Sequence, residues 1–332
     1  MINRRSFSIF ISCCLSLSLL ILTFPSKSFE QRPSSPYPFQ EIWGYVMKGE
    51  ETYLSNTMPL TDIGYFAAQI NEQGRLPSDI NRPDLTGEFD QPVRIHLVVS
   101  APWNKTIMNF CLRSDMPLRQ QILDDIVTVA PRFDGVQIDF ESLNWEDKEA
   151  YMSFLRELKS RLPGNITLSA AVPARWWTKD NPFDYQEISG IVDRVIVMAY
   201  DEHWRTGEAG PIASLPWCKK VLDFSRQHIA DEKLVMGLPL YGRAWQKEQL
   251  ARALKYDQTV ALCSEKQCAI RLADDGSPYF EFQEKVNIAV HFENLNSLIS
   301  KLDTYHHNAV NRVAFWRLGQ EPDGLWKNLT LK

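Results

Sequence analysis

The chain has 332 residues, of which 44% are hydrophobic and 23% are charged. That composition is typical of a folded globular protein and argues against a chain that is mainly disordered. The formal net charge is -5, and the 36 lysines and arginines form no long run. A nucleic-acid partner is therefore not expected, because phosphate binding needs a concentrated basic surface.

The N-terminus carries the pattern of an export signal. Two arginines precede an uncharged stretch from residue 6 to 24, and serines at 26 and 28 suit cleavage before Phe29. We therefore predict a signal peptide over residues 1–28 and a secreted or cell-envelope location, in the periplasm or cell wall. The uncharged stretch is also long enough to span a bilayer, so an uncleaved anchor or a lipoprotein stays open as an alternative.

Short apolar runs recur through the folded part, residues 41–332, which follows a lead rich in proline and serine over residues 29–40. Most runs are nearly continuous in Val, Ile, Leu, Met and aromatic residues, which is typical of parallel strands covered on both faces. The predicted strands are Glu41–Met47, Asp62–Ala68, Val93–Ala101, Phe133–Glu141, Ile166–Pro173, Arg194–Asp201, Lys233–Tyr241 and Val310–Leu318.

Helical patterns lie between these strands. Residues 118–129 and 146–162 place apolar side chains at helical spacing, and the second stretch ends at a Pro-Gly pair. Alternation of strands and helices at this length predicts one (β/α)8 barrel, which usually takes roughly 250 residues plus insertions. Residues 246–290 hold polar short-strand patterns and a turn cluster, so we predict a small insertion on the barrel rim between strands 7 and 8.

Cleavage of the signal peptide would remove two of the six cysteines. Cys263 and Cys268 flank four polar residues, so a local disulfide is an expectation in an oxidising compartment. For Cys111 and Cys218, free buried thiols are an equally good interpretation. No spacing of cysteine and histidine resembles a zinc site, so no metal is expected.

The fourth predicted strand carries two acidic side chains on one face. Because side chains alternate along a strand, Gln137, Asp139 and Glu141 share the inward face. Two carboxyls about 6 to 7 Å apart suit a proton-transfer pair, since the charge of one raises the pKa of the other. Gln137 is neutral, and we expect its amide to donate a hydrogen bond to Asp139. The alternative is a strand that merely ends in exposed acidic residues. However, burying ionisable groups inside a barrel costs folding free energy unless they are paired, and such groups are found mainly at functional sites.

This strand resembles the fourth strand of glycoside hydrolase family 18, the chitinase family, which carries Asp-Gly-x-Asp-x-Asp-x-Glu. Asp134, Gly135, Asp139 and Glu141 match that motif, and Gln137 departs from it at the middle Asp. Three further segments resemble the sixth, seventh and eighth strands of the family in the same order, at 197–201, 236–245 and 315–320. The loop that follows the sixth strand is most similar to that of bacterial cell-wall and spore-cortex lytic members.

The resemblance implies an exported glycosidase that hydrolyses a polymer with β-linked N-acetylglucosamine, peptidoglycan or chitin, without metal or organic cofactor. It also implies retention of configuration by substrate assistance, in which the substrate's own N-acetyl oxygen attacks the anomeric carbon. Glu141 would then be the general acid and base. Asp139 would orient the acetamido group and offset the developing positive charge, and Tyr200 would bind the acetamido oxygen.

Further residues are expected to line the substrate groove. The resemblance implies a floor under the cleaved sugar at Trp316, and groove positions at Asp201, Gln137, Tyr45, Trp103, Tyr241 and Arg243. For Trp176, Trp177, Trp204 and Trp245, loop packing and sugar contact are equally good interpretations. We expect the partner to be the glycan, membrane contact to occur only through an N-terminal anchor, and the protein to be a monomer.

Two other functions are consistent with the pattern. Some proteins that resemble this family keep the barrel and act as catalytically weak or inactive carbohydrate-binding proteins. Glu141 favours an enzyme, whereas Gln137 replaces an acid that tunes its neighbour in the common motif. A barrel that is not a glycosidase is a third option, and four motifs in the family's order leave it little room.

Overall fold

The computed structural model describes residues 35–101, 104–178, 181–204, 206–246, 256–272, 278–283 and 288–332. The predicted (β/α)8 barrel is confirmed, because eight parallel strands in this part of the chain close on themselves in chain order. Each strand overlaps its predicted run. The barrel strands are Glu41–Met47, Asp62–Gln69, Arg94–Ser100, Gly135–Asp139, Thr167–Pro173, Arg194–Met198, Leu234–Pro239 and Arg312–Trp316.

Helices cover the barrel from the third strand onward. The α-helices are Lys105–Leu112, Pro117–Val129, Lys148–Arg161, Tyr185–Ile191, Leu215–His228, Tyr256–Glu265 and Leu295–His307, and short 3-10 helices span Glu51–Tyr53, Ala130–Arg132, Trp145–Asp147 and Trp326–Asn328. The first two connections, residues 48–61 and 70–93, are fully described and contain no α-helix. Residues 70–93 are rich in Pro, Gly, Asn and Asp, which favour turns over helix.

Two strand pairs lie outside the barrel wall. Tyr37–Phe39 runs parallel to Leu329–Leu331, so regular structure begins inside the stretch that we assigned to the lead. Arg243–Gln246 pairs antiparallel with Ile288–His291 at the two ends of the predicted insertion, residues 246–290, which also contains the short antiparallel pair Arg271–Leu272 and Pro278–Tyr279. The predicted signal, residues 1–28, lies outside the described residues. Within the described part, no helix is both long and apolar enough to cross a membrane.

The four cysteines of the folded part are all free in the described chain. Cys111, Cys218 and Cys263 are buried, and the Cys263 thiol donates to the backbone carbonyl of Cys268 at 3.4 Å. The disulfide expected between Cys263 and Cys268 is therefore not formed in this structure, where the thiol bonds to the backbone instead.

Side chains fill the barrel interior in layers. Trp43 and His96 meet in the middle of the barrel, with 4.3 Å between ring centroids. Tyr45 lies above them and is buried, and it takes space that Gly64 leaves free. A Cβ atom at position 64 would lie 2.3 Å from the Tyr45 ring, so the neighbouring strand needs glycine there. This layer supports the carboxyl end of the barrel from below.

A charged layer closes the amino end of the barrel. The Glu41 carboxylate accepts from Arg194 Nη2 at 2.6 Å, and it also pairs with Arg312 at 3.3 Å and Arg94 at 3.5 Å. Burial by itself would raise the pKa of Glu41, but the hydrogen bonds and charge of Arg194 outweigh burial and lower that pKa to about 2. Glu41 therefore ties together strands that are far apart in the chain.

Replacement of Glu41 with Gln should lower the free energy of unfolding near pH 7 by about 3 to 4 kcal/mol, from the fall in its pKa from 4.5 to about 2 at about 1.4 kcal/mol per unit. Because the folded-state pKa is depressed, this stabilisation is complete above about pH 4.5 and is lost as the pH falls through about 2. Denaturant unfolding near pH 7 and near pH 3 should show a smaller difference between the two proteins in acid. The exposed Glu72→Gln serves as the control, and a Glu41→Gln effect independent of pH would contradict this account.

Candidate active site

The carboxyl ends of the barrel strands surround a pocket of about 610 Å³. Active sites of (β/α)8 enzymes lie at this face. Nine of the ten residues predicted from the sequence line the pocket: Tyr45, Gln137, Asp139, Glu141, Tyr200, Asp201, Tyr241, Arg243 and Trp316. The tenth, Trp103, lies outside the described residues.

The acidic pair lies at the end of the fourth strand. Asp139 is the last residue of that strand and is buried, whereas Glu141 follows it and is exposed at the edge of the pocket. Burial raises the pKa of Asp139 well above its usual range, and the charge of Glu141 raises it further. The pKa of Glu141 is also raised, because the pocket walls displace water from its carboxyl and because Asp201 is negatively charged. Such a pair can hold and transfer one proton at a pH at which two ordinary carboxyl groups would both have lost theirs.

Gln137 differs from the expectation. Its Nε2 donates to Ser169 Oγ at 3.2 Å, so the hydrogen bond predicted from Gln137 to Asp139 was wrong. The reason is register, since Gln137 and Ser169 are direct partners on the fourth and fifth strands. Asp139 Oδ1, Gln137 Oε1 and the Tyr45 hydroxyl are buried with no hydrogen-bond partner in the described chain. Unpaired buried polar groups are rare in folded proteins and mark this wall of the pocket as a candidate site.

Replacement of Gln137 with Asp should move the acid limb of the pH–rate profile to higher pH. A carboxyl at position 137, which is fully buried, raises the pKa of Asp139, which must then lose its proton at a higher pH. Initial rates between about pH 3 and pH 8 measure the shift, with Gln137→Asn as the neutral control. An acid limb that Gln137→Asp leaves in place would show that position 137 does not couple to the acidic pair.

Contacts between the sixth and seventh strand ends fix one side of the pocket. Asp201 has a φ of 60°, in the left-handed region that non-glycine residues rarely adopt. Its Oδ1 accepts from the Tyr241 hydroxyl and from Arg243, whose Nε and Nη2 lie at 3.0 and 2.6 Å. The Arg243 guanidinium also lies 4.9 Å from the centre of the Trp204 ring. These contacts hold the Asp201 carboxylate close to Glu141, whose pKa it raises.

Hydrogen bonds join the beginning and the end of the loop that follows the sixth strand. The Glu202 carboxylate accepts from the Ser214 backbone N–H at 2.6 Å and from the Ser214 hydroxyl at 3.0 Å. The ring of His203 packs over Gly210, where a Cβ atom would lie 2.4 Å away. This loop carries Asp201 and Trp204 to the pocket, so its closure restricts where they lie.

Aromatic rings form the floor of the pocket. The Trp316 ring centroid lies 4.8 Å from that of Phe66 and 5.6 Å from that of Tyr45. Tyr200 contributes a hydroxyl group to the same pocket. Burial raises the pKa of Tyr200 well above its usual range, so its phenol keeps its proton and can donate a hydrogen bond. The pocket therefore combines an apolar, aromatic floor with proton donors on one wall.

Sequence reasoning missed several lining residues. Phe66, Met198, Arg317 and Gln320 also face the pocket, and each lies near the carboxyl end of a predicted strand, which is the signal that could have found them. Trp204 lines the pocket too. By contrast, Trp176 and Trp177 lie outside the pocket lining and pack against each other, with 3.8 Å between ring centroids. The side chain of Trp245 lies outside the described residues.

Known proteins are similar to this chain in sequence and in fold. Residues 100–321 match the family model described as glycosyl hydrolases family 18. The uncharacterized glycosylase YvbX of Bacillus subtilis is 28% identical over 86% of this chain and 89% of its own length. The cortical fragment-lytic enzyme of Bacillus anthracis is 28% identical over 81% of this chain and 67% of its own. The crystal structure of the Bacillus cereus spore cortex-lytic enzyme SleL superposes with a TM-score of 0.68 at 24% identity, over 90% of this chain and 76% of that one.

Proposed function

We propose, from the premise that this chain belongs to glycosyl hydrolase family 18, that it cleaves the glycan of bacterial cell walls after N-acetylglucosamine by substrate assistance. As a member of that family the chain is a glycoside hydrolase that acts on glycans containing N-acetylglucosamine. The cortical fragment-lytic relative supports a cell-wall glycan as the polymer. The observation that carries the mechanism is the buried Asp139 beside the more exposed Glu141, both with raised pKa values.

In the first step Glu141 gives its proton to the leaving glycosidic oxygen. A carboxyl with a raised pKa keeps that proton at a pH where ordinary glutamates have lost theirs. The acetamido oxygen of the substrate attacks the anomeric carbon as the bond breaks, and a bicyclic intermediate forms. In the second step Glu141, now ionised, takes a proton from a water molecule that opens the intermediate with retention.

Asp139 acts on the acetamido group. Its unpaired Oδ1 is an acceptor for the acetamido N–H, and this contact turns the attacking oxygen toward the anomeric carbon. When the acetamido group becomes positively charged, an ionised Asp139 offsets that charge in a pocket with little water. Tyr200 donates to the acetamido oxygen from the next wall, and Trp316 supports the apolar face of the sugar.

Replacement of Tyr200 with Phe should slow hydrolysis of an acetylated substrate by roughly 10- to 150-fold. The variant lacks one hydrogen bond to the attacking oxygen, worth on the order of 1.5 to 3 kcal/mol when one partner is charged. Steady-state kinetics on a chitooligosaccharide measure the loss, with Tyr256→Phe, on the exposed helix of the insertion, as the control. Equal rates for Tyr200→Phe and the parent protein would remove Tyr200 from the mechanism.

The substrate is tested by incubation of the protein with purified cell-wall glycan strands and with chitooligosaccharides of matched length. New reducing ends identified by mass should carry N-acetylglucosamine, with faster release from the cell-wall glycan. Faster hydrolysis of chitooligosaccharides would replace the cell wall with chitin as the substrate. Binding of both without cleavage would indicate a carbohydrate-binding protein.

We further propose that residues 1–28 direct export and are removed before Phe29, because cell-wall glycan lies outside the cytoplasm. N-terminal sequencing of the protein from the culture medium or cell envelope should begin at Phe29. A protein that keeps its first residues in the membrane fraction would be anchored instead.

A further inference from the structure

The loop that follows the sixth strand, residues 199–213, is held by a glutamate that lies outside the pocket lining. Both oxygens of the Glu202 carboxylate accept from Ser214, Oε2 from the backbone N–H at 2.6 Å and Oε1 from the hydroxyl at 3.0 Å. The Glu202 backbone N–H also donates to the Ile212 carbonyl oxygen at 2.9 Å. Residue 202 is therefore bonded to the far end of the loop through both its backbone and its side chain.

Ser214 connects this loop to a packed helix. It is the N-cap residue of the helix Leu215–His228, and its hydroxyl accepts from the Trp217 backbone N–H at 3.4 Å. Trp217 and Val221 of this helix are buried in the main hydrophobic core. A carboxylate at a helix N-terminus is stabilised by the partial positive charge of the N–H groups there, and a charged acceptor forms a stronger hydrogen bond than a neutral one. Glu202 therefore fastens the loop to a well-packed part of the fold.

Glu202 lies between two residues that do line the pocket. Asp201, directly before it, has the left-handed φ of 60°, and a non-glycine residue keeps such a conformation only where the surrounding contacts hold it. Tyr241 and Arg243 bind the Asp201 carboxylate from the pocket side. Trp204 follows Glu202 by two positions, and its ring centre lies 4.9 Å from the Arg243 guanidinium. Without the Glu202 contacts, Asp201 would be held from the pocket side alone.

We propose that Glu202 is a positioning residue for the reaction, because its bonds to Ser214 keep the Asp201 carboxylate beside Glu141 and the Trp204 ring in the pocket wall. This inference rests on the proposed function. Since Glu202 lies outside the pocket lining, it acts through Asp201 and Trp204 rather than on the glycan. Burial and the charge of Asp201 raise the pKa of Glu141, so an Asp201 that turns away would weaken the hold of Glu141 on its proton.

Other ionisable groups also face Glu141. The charged groups are Asp139, Asp201, Arg243 and Arg317 on the pocket side and the Lys48–Asp79 ion pair on the other side, and the phenols are those of Tyr45, Tyr200 and Tyr241. Substitutions at positions 202 and 214 change none of these side chains. Among the charged groups, only Asp201 is joined directly to Glu202, so a shift in the pH dependence of the rate reports on its position.

The test measures steady-state parameters and the pH–rate profile of Glu202→Ala on whichever of the chitooligosaccharide and the cell-wall glycan the parent protein hydrolyses faster. The variant should lower kcat by roughly 10- to 100-fold, because small displacements around the reacting atoms cause losses of that size. The basic limb should move to lower pH by roughly half a unit or more, because the loss of a negative charge beside Glu141 lowers the pKa of the general acid. Glu208→Ala, at an exposed position of the same loop, should keep the parent's kcat and basic limb.

Ser214 offers a milder pair of variants, which covers the case in which Glu202→Ala does not fold. Ser214→Ala removes only the hydroxyl partner and should move the basic limb in the same direction by less, whereas Ser214→Thr keeps the hydroxyl and should match the parent protein. Ser214→Ala also removes a helix cap. Its control is therefore Asp184→Ala, which removes the N-cap of the helix Tyr185–Ile191 and should lower the melting temperature without moving the limb.

Folded Glu202→Ala and Ser214→Ala proteins with the parent's basic limb would overturn this inference and leave the proposed function intact. A loss of rate that is equal at every pH and follows the unfolded fraction would overturn it as well, since it would indicate a structural role alone. Hydrolysis of no glycan by the parent protein would overturn the proposed function and, with it, this inference.

Discussion

Glutamine in place of Glu141 should reduce glycan hydrolysis by roughly 100- to 10,000-fold, the usual contribution of a general acid and base. The variant keeps the size and hydrogen-bonding shape of the side chain but cannot deliver a proton to the leaving oxygen. Because Glu141 is exposed at the pocket edge and its raised pKa shows that the site favours an uncharged side chain, the melting temperature should not fall. Initial rates, thermal unfolding and calorimetric titration with an oligosaccharide together separate a loss of catalysis from a loss of folding or binding.

The matched control for that variant is Glu146→Gln, an exposed glutamate in the 3-10 helix that follows the same strand. It should retain the parent rate. If Glu141→Gln were as active as this control, another group would have to supply the proton, and the assignment of the general acid would be wrong. If both variants lost activity and had a lower melting temperature than the parent protein, the loss of activity would result from a change in folding.

A glycan without the acetyl group on the sugar at the cleaved bond should not be hydrolysed at a measurable rate. An attacking group inside the substrate acts at an effective concentration of roughly 10⁵ M or more, and no protein carboxylate replaces it in the mechanism proposed here. The comparison uses acetylated and de-N-acetylated oligosaccharides of equal length, followed by mass analysis of products. A thiazoline analogue of the bicyclic intermediate should inhibit hydrolysis of the acetylated substrate competitively.

Equal turnover of the two oligosaccharides would mean that Asp139 or another carboxylate attacks the sugar directly. Binding of the de-N-acetylated oligosaccharide must be measured beside its turnover, since lost affinity would imitate lost chemistry. The Trp316 ring lies against Phe66 and Tyr45. In the proposed mechanism it contacts the sugar face rather than the acetyl group, so much of the affinity should remain.

Local patterns in the sequence predicted the barrel well. Strands covered on both faces leave continuous apolar runs, and all eight runs overlap the observed strands. The alternation of side chains placed Gln137 and Asp139 on the inward face, and the structure places both in the pocket. The absence of an α-helix from residues 48–61 and 70–93 was not predicted, because a regular (β/α)8 barrel has a helix after each strand.

Contacts between distant strands could not be predicted in the same way. Glu41 and Arg194 are 153 positions apart, and only the closure of the barrel brings them together. The predicted hydrogen-bond partner of Gln137 was wrong for a similar reason. The choice between Asp139 on its own strand and Ser169 on the next depends on the register of the fourth and fifth strands. The ion pair between Lys48 Nζ and Asp79 Oδ2, at 2.5 Å, likewise depends on the path of the irregular segment 70–93.

The rim insertion enters and leaves the barrel side by side, because Arg243 pairs with His291 and Gln246 pairs with Ile288 on two antiparallel strands. Because its ends are held in this way, a longer insertion lowers the stability of the fold only slightly. The loop-closure free energy rises by about 0.6 kcal/mol for each doubling of a flexible segment. The insertion can therefore be exchanged for a segment of another length while the barrel strands stay in place. Evolution, or an engineer who grafts the corresponding segment of a relative, could reshape the wall beyond Arg243 while the strands that carry Asp139 and Glu141 keep their register.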